Sequence, residues 1–200
     1  MNMVSLGSRS FQGRPVAAGR SGTIAALDVG SSKISCFIAR IEAGRVANGH
    51  TPVRVIGIGH QVSRGIRAGA VVDMDAAEEA IRVAVDAAER MAGVTIRDVI
   101  VGVSGGEPKS QTVGVKASVA AGEIGDNDLG RLIGHAQSNF QPDGRDVLHA
   151  IPTNYSVDDS RGVRDPRGMF GERVGVEVHM VSGLRGPLRN LELCIERCHL

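Results

Sequence analysis

Thr23-Ile24-Ala25-Ala26-Leu27-Asp28-Val29 is followed by Gly30-Ser31-Ser32-Lys33, and then by Ile34, Cys36 and Ile38 alternating with Ser35, Phe37 and Ala39. An apolar run closing on an acid, a short polar break and a strict alternation predict two strands joined by a tight four-residue loop. Outward from this pair, Val53, Val55, Ile56 and Ile58 predict a third strand over 53–62. Gly57, Gly59, Gly65 and Gly69 punctuate this stretch, so 63–70 is expected to be a loop. A helix is expected to start at Asp75, with Glu78 three residues later as a capping box. Ala77, Ile81, Ala84, Val85, Ala88 and Met91 recur on one helical face, and Gly93 supplies the stop. Val99-Ile100-Val101-Gly102-Val103 is an unbroken apolar run, the mark of a strand buried on both faces beside parallel neighbours. Three strands, a helix and a buried strand begin an α/β domain.

The character changes over 105–122. Gly105-Gly106-Glu107-Pro108-Lys109-Ser110 predicts a loop, and Val113, Val115 and Val119 a strand. A second helix runs from about Asp126, with Leu129, Leu132, Ile133, Ala136 and Phe140 on one face. Strands are expected at 146–157 and 173–181, the second with Val174, Val176, Val178 and Met180 facing one way. The polar segment 158–172 between them is expected to be an exposed loop. The order strand–helix–strand–strand describes a small α+β unit set into the α/β frame. Gly183 and Pro187 then open a last helix, with Leu188, Leu191, Cys194, Ile195 and Cys198 at helical spacing.

Composition narrows the functional classes. The 200 residues are 42% hydrophobic and 22% charged, a globular balance. No apolar run approaches the roughly 18 to 20 residues of a spanning helix, and a net charge of +1 gives no bulk attraction to nucleic acid. Aromatics stand at 2%, too few for a base-stacking platform or a carbohydrate cleft. Cys36, Cys194 and Cys198 make an odd count, which is no disulfide framework and fits a reducing compartment. Residues 1–22 carry Arg9, Arg14 and Arg20 among Ser, Gly and Pro without a continuous apolar core, so they are read as a flexible basic tail rather than a secretory signal.

The chemistry concentrates in Asp28-Val29-Gly30-Ser31-Ser32-Lys33. An acid at a strand end can hold Mg²⁺ through water, Gly30 admits a phosphate close to the backbone, Ser31 and Ser32 offer hydroxyls and amides, and Lys33 adds positive charge. Two readings fit these residue types: nucleotide phosphate binding, and an ordinary hairpin turn, where Asp, Gly and Ser are common. No Walker frame is present. Gly102-Val103-Ser104-Gly105-Gly106-Glu107 also comes after a strand, as a second phosphate loop or a domain junction. The shift in composition and the lack of an immediate helix start favour the junction. Cys194 and Cys198, with His199 adjacent, read as two thiols packed in the core rather than as a metal site, and no histidine falls in a triad frame. Arg161, Arg164, Arg167 and Arg173 alternate with acids, as a docking surface or a solvated loop.

Several segments together resemble the FtsA family of actin-like bacterial cell-division proteins. They are Ala26-Leu27-Asp28-Val29-Gly30-Ser31-Ser32-Lys33, Val55-Ile56-Gly57-Ile58-Gly59, Ser63-Arg64-Gly65-Ile66-Arg67-Ala68-Gly69, Ala87-Ala88-Glu89-Arg90-Met91-Ala92, Val103-Ser104-Gly105, Val147-Leu148-His149-Ala150-Ile151-Pro152 and Glu196-Arg197-Cys198. The first fits much of the wider sugar-kinase, chaperone and actin superfamily; the Ser-Arg-Gly and Leu-His-x-Ile-Pro segments are more specific. The resemblance implies an α/β fold: an incomplete actin-like (ribonuclease H-like) subdomain IA over 23–104, with an inserted α+β SHS2 subdomain IC over 105–181. Residues 182–200 would be a helix returning to IA, truncated, and 1–22 an extension without counterpart.

The resemblance further implies that Asp28, Gly30, Ser31, Ser32 and Lys33 contact ATP phosphate, with Asp28 holding Mg²⁺ through water. The family anchors and organises the FtsZ ring during septum formation, at the cytoplasmic face of the inner membrane. Its partners are FtsZ, other divisome proteins and further copies of itself in actin-like filaments, and not nucleic acid. The family's second lobe, with its other phosphate motif, adenosine pocket and FtsZ-peptide site, and its C-terminal membrane-binding helix are not among these residues. Weak or absent ATP binding, no enzymatic activity and no membrane attachment are therefore expected of this chain. The competing readings are a small-molecule kinase or ATPase of the same superfamily, and an actin-like pilus-assembly protein.

Overall fold

The computed structural model describes residues 3–4, 22–42, 52–119, 122–140 and 143–200. They divide into two compact units, one made of Met1–Glu107 with Gly186–Leu200, the other of Pro108–Arg185. Apart from Met3, Val4 and Gly22, the expected tail at 1–22 lies outside the described residues.

The first unit is built on a five-stranded sheet. Its strands are β1 (Met3–Val4), β2 (Gly22–Val29), β3 (Lys33–Ile41), β4 (Val53–Val62) and β7 (Ile100–Gly102), in the order β1-β7-β2-β3-β4. β2, β3 and β4 run antiparallel in sequence, and β7 joins β2 in parallel, as the apolar run 99–103 predicts. Alternation decides the faces: Ala25, Leu27 and Val29 on β2 stand opposite Ile38, Cys36 and Ile34 on β3, and all six are buried.

Helix α1 (Met74–Ala92) lies against β4 and β3, with Ala77, Ala80, Ile81, Ala84, Val85 and Ala88 buried. The approach is close because β4 offers glycine there. A methyl on Gly59 would sit 1.9 Å from the Ala84 carbonyl oxygen, and one on Gly57 2.3 Å from that of Ala88. Two expectations for this helix need correction. Asp73, not Asp75, caps it: Asp73 is extended, and its carboxylate accepts the Ala76 amide at 3.1 Å. Met91 is 64% exposed, in the last turn before Gly93 ends the helix at φ 67°.

The segment 63–70 is also more ordered than expected. Strands β5 (Ile66–Arg67) and β6 (Ala70–Val71) form a miniature hairpin around Ala68 and Gly69, at φ 49° and 75°. Two successive left-handed residues are what a two-residue hairpin turn demands. Alanine at the first of them hides the signal that Asn-Gly or Asp-Gly would give. Helix α3 (Arg185–Glu196) buries Leu188, Leu191, Cys194 and Ile195. It meets α1 through Cys194 Sγ, 3.9 Å from the Met74 carbonyl, and Arg197, whose carbonyl accepts Arg82 Nη2 at 3.1 Å. Gly183, read as a helix opener, instead lies in the preceding strand, and Cys198 lies just past the helix end.

The second unit has an antiparallel four-stranded sheet in the order β10-β9-β11-β8. Its strands are β8 (Lys109–Ser118), β9 (Arg145–Val157), β10 (Ser160–Val163) and β11 (Arg173–Leu184). Helix α2 (Asp126–Asn139) covers one face. Ile124, Leu129, Leu132 and Ala136 close a core there with Val157, Val174, Val176, Val178 and Met180. Strand–helix–strand–strand is thus the observed order, with β10 as an extra hairpin strand inside the segment expected to be loop. Its tight turn forms because Asp158 adopts φ 49° while its carboxylate accepts the amides of Glu172 and Arg173 at 3.0 and 2.8 Å. The whole is an α/β frame carrying an α+β insert.

Candidate functional site

Asp28 is the penultimate residue of β2, half-buried, directly opposite Ser35 on β3 and in register with Gly102 on parallel β7. Ser35 in turn pairs with His60 on β4, so Asp28, Ser35 and His60 form one row across three strands. His60 lies within the strand expected over 53–62, and the strand register brings it into this row. The Gly30 amide donates to the Lys33 carbonyl at 3.0 Å and closes the turn. Ser31 and Ser32 stand exposed at its tip, and Lys33 opens β3 with its side chain exposed. A methyl on Gly30 would lie 3.0 Å from the Lys33 carbonyl, so the turn leaves little room for a side chain there.

The turn is held from behind by the 63–70 segment. The Ser63 amide donates to the Ser32 carbonyl at 3.1 Å, and the Gly69 amide donates to Ser31 Oγ at 3.0 Å. A serine hydroxyl has one proton and two lone pairs. With Gly69 occupying a lone pair, the Ser31 proton remains available for an acceptor in front of the turn. Gly69 is fixed in its turn by Gly105: a methyl on Gly105 would sit 1.9 Å from the Gly69 carbonyl oxygen, and one on Gly69 2.6 Å from the Gly105 Cα. The glycine-rich segment after β7 therefore packs its backbone on the 66–71 hairpin. The signal in the sequence is the glycine spacing itself, which marks two loops without showing that they touch.

These residues suit a nucleotide phosphate with Mg²⁺: a strand-end carboxylate, a glycine turn without bulk, two exposed serines and an exposed lysine. Among the described residues no group of His, Cys, Asp or Glu could hold a metal by itself. A Mg²⁺ beside Asp28 would thus need the nucleotide's own oxygens and water. The thiols offer no alternative centre. Burial pushes Cys36 and Cys194 up to about 11 and Cys198 to about 12, so they stay protonated and poorly ligating. Burial likewise lowers the His149 imidazole, favouring its neutral form. In the 158–173 segment Arg167 is tied to Asp126 at 2.6 Å and Asp165 at 3.0 Å, bracing the start of α2. His50 lies outside the described residues.

Comparison with known proteins agrees with this architecture. Residues 105–182 match the family described as the SHS2 domain inserted in FTSA. The chain is 42% identical over 191 residues to the cell division protein FtsA of Rhizobium meliloti (strain 1021), covering 94% of this chain and 43% of that protein. It is 35% identical to that of Neisseria meningitidis serogroup B over 88% of this chain and 41% of the relative. The chain thus spans less than half the length of these relatives. Among solved structures, a chain of a PilM-PilN type IV pilus biogenesis complex aligns with a TM-score of 0.53 at 14% identity, over 88% of this chain and 45% of that one. At that identity the likeness speaks for the fold alone.

Proposed function

We propose that this chain, a relative of the cell-division proteins FtsA that carries their SHS2 domain, contributes an ATP-phosphate contact and an interaction subdomain to a bacterial division scaffold. The observation that carries the nucleotide part is the Gly30–Lys33 turn, braced by Ser63 and Gly69, with both of its serines solvent-exposed. Gly30, Ser31 and Ser32 would hold phosphate oxygens, Lys33 would offset their charge, and Asp28 would orient water on Mg²⁺. The cation supplies charge neutralisation of the phosphates. The chain's own residues position and do not cleave, so an ATP-dependent conformational role is proposed rather than an enzyme.

FtsZ, other division proteins and further copies of the scaffold are the proposed partners, at the cytoplasmic face of the inner membrane. No helix among the described residues is long and apolar enough to cross a membrane. A pilus role gains nothing from the structural neighbour beyond a shared fold, and no observation favours a small-molecule kinase.

Phosphate contacts alone hold one end of a nucleotide, so affinity for ATP should be weak. Isothermal titration of the chain with MgATP tests this: weak, Mg²⁺-dependent binding reduced by Asp28→Ala is expected. A micromolar isotherm would contradict the weak site, and binding indifferent to Asp28→Ala would contradict its location.

A further inference from the structure

Lys33 pairs with Val62 across β3 and β4, and the Ser63 amide donates to the Ser32 carbonyl at 3.1 Å, so the antiparallel ladder runs one step past the end of β4. The next residue on one chain is Arg64, and on the other Ser31. Side chains alternate along a strand, and directly opposed residues share a face. Asp28, Ser35 and His60 form one row, and Lys33 with Val62 the next row on the same face. The same alternation carries Arg64 onto that face. Ser63 falls on the other, the face on which Gly59 meets Ala84 of α1, and its Oγ is buried there without a partner among the described residues. Arg64 is exposed, and its side chain makes no ion pair among the described residues. The acids on adjoining segments are Asp28 on the phosphate turn, Asp73, which takes the Ala76 amide as the cap of α1, and Glu107 beyond Gly105.

We propose that Arg64 binds the terminal phosphate of a nucleoside triphosphate seated on the Gly30–Lys33 turn, and so makes this site prefer MgATP to MgADP; the assignment rests on the nucleotide reading above. The backbone on either side of Arg64 is fixed, by the Ser63 amide on Ser32 before it and by the Val72 and Asp73 amides on the Gly65 carbonyl after it. Its side chain is left for a ligand. A guanidinium presents paired N–H donors that match two phosphate oxygens at once. MgATP carries one more negative charge than MgADP, and Arg64 adds a second cation on the face that holds Lys33. Arg67 is also exposed, but it belongs to the β5–β6 hairpin, opposite Ala70, and the ladder does not carry it to this face.

Amide titrations of the ¹⁵N-labelled chain with MgATP and with MgADP, followed at Gly30 to Lys33, give the two dissociation constants. MgATP is expected to bind about tenfold more tightly, the worth of one charge-assisted contact. Arg64→Ala should bring the two constants together by weakening MgATP alone. Arg64→Lys keeps the charge without the fork and should retain part of the preference. Arg67→Ala should leave the ratio unchanged, which separates a contact at Arg64 from the general attraction of a basic surface. Equal constants in the unaltered chain, a preference that survives Arg64→Ala, or an equal loss in Arg67→Ala would overturn the assignment while leaving the phosphate turn in place. If neither nucleotide moves those amides, the nucleotide reading falls and the role of Arg64 falls with it.

Discussion

Ser31 and Gly69, 38 positions apart, are joined by a 3.0 Å hydrogen bond from the Gly69 amide to the Ser31 hydroxyl oxygen. This bond ties the turn at the end of β2 to the hairpin before α1. It also uses the serine oxygen as acceptor, which leaves the hydroxyl proton to be donated elsewhere.

Ser31→Ala should free the Gly69 amide, whose hydrogen exchange is then expected to quicken. The stability cost is about 0.5–1.5 kcal/mol, the net worth of one such bond. Ser31→Thr keeps the oxygen and should keep the protection. Exchange measured by NMR at Gly69 in the three proteins decides it; an unchanged rate in the alanine variant would show that the bond does not form.

Gly59→Ala should destabilise the first unit strongly. The new methyl would stand 1.9 Å from a helix carbonyl rather than a movable side chain. Such overpacking costs roughly 1–3 kcal/mol. Gly114→Ala, with open space around it, serves as the contrast in urea unfolding.

Asp73→Ala should cost about 1 kcal/mol as a lost N-cap. Asp75→Ala, inside the first turn of the helix, should cost clearly less. The reverse order in thermal melts would restore the cap to Asp75.

The cysteines give a pH window. Folding raises Cys36 and Cys194 from 9.0 to about 11. A thiol whose pKa is raised by folding favours the native state below its unfolded value, and that contribution fades as pH climbs to the folded value. Stability should therefore fall between about pH 9 and about pH 11 through these thiols. A variant with Cys36→Ala and Cys194→Ala should show a shallower fall in urea midpoints across that range.

The fold is legible where alternation and helical spacing are unambiguous, as in Ile34, Cys36 and Ile38 or in Leu129, Leu132 and Ala136. The remainder is set by tertiary contact or by unusual turn residues. The 66–71 hairpin turns on alanine before glycine, and β10 depends on an aspartate held left-handed by amides from residues 172 and 173. The turn from Asp28 to Lys33 is visible as a residue pattern. Its bracing by Ser63, Gly69 and Gly105, and the row that brings His60 beside Ser35, require the strand register and the packed backbone, which no local spacing encodes.

The most direct test of the phosphate turn is a ¹H–¹⁵N titration of the chain with MgATP, against MgCl₂ alone. Saturable shifts centred on the amides of Gly30, Ser31, Ser32 and Lys33, lost in Asp28→Ala, are the expected result. Millimolar MgATP that leaves those amides unmoved, or moves others instead, would contradict it.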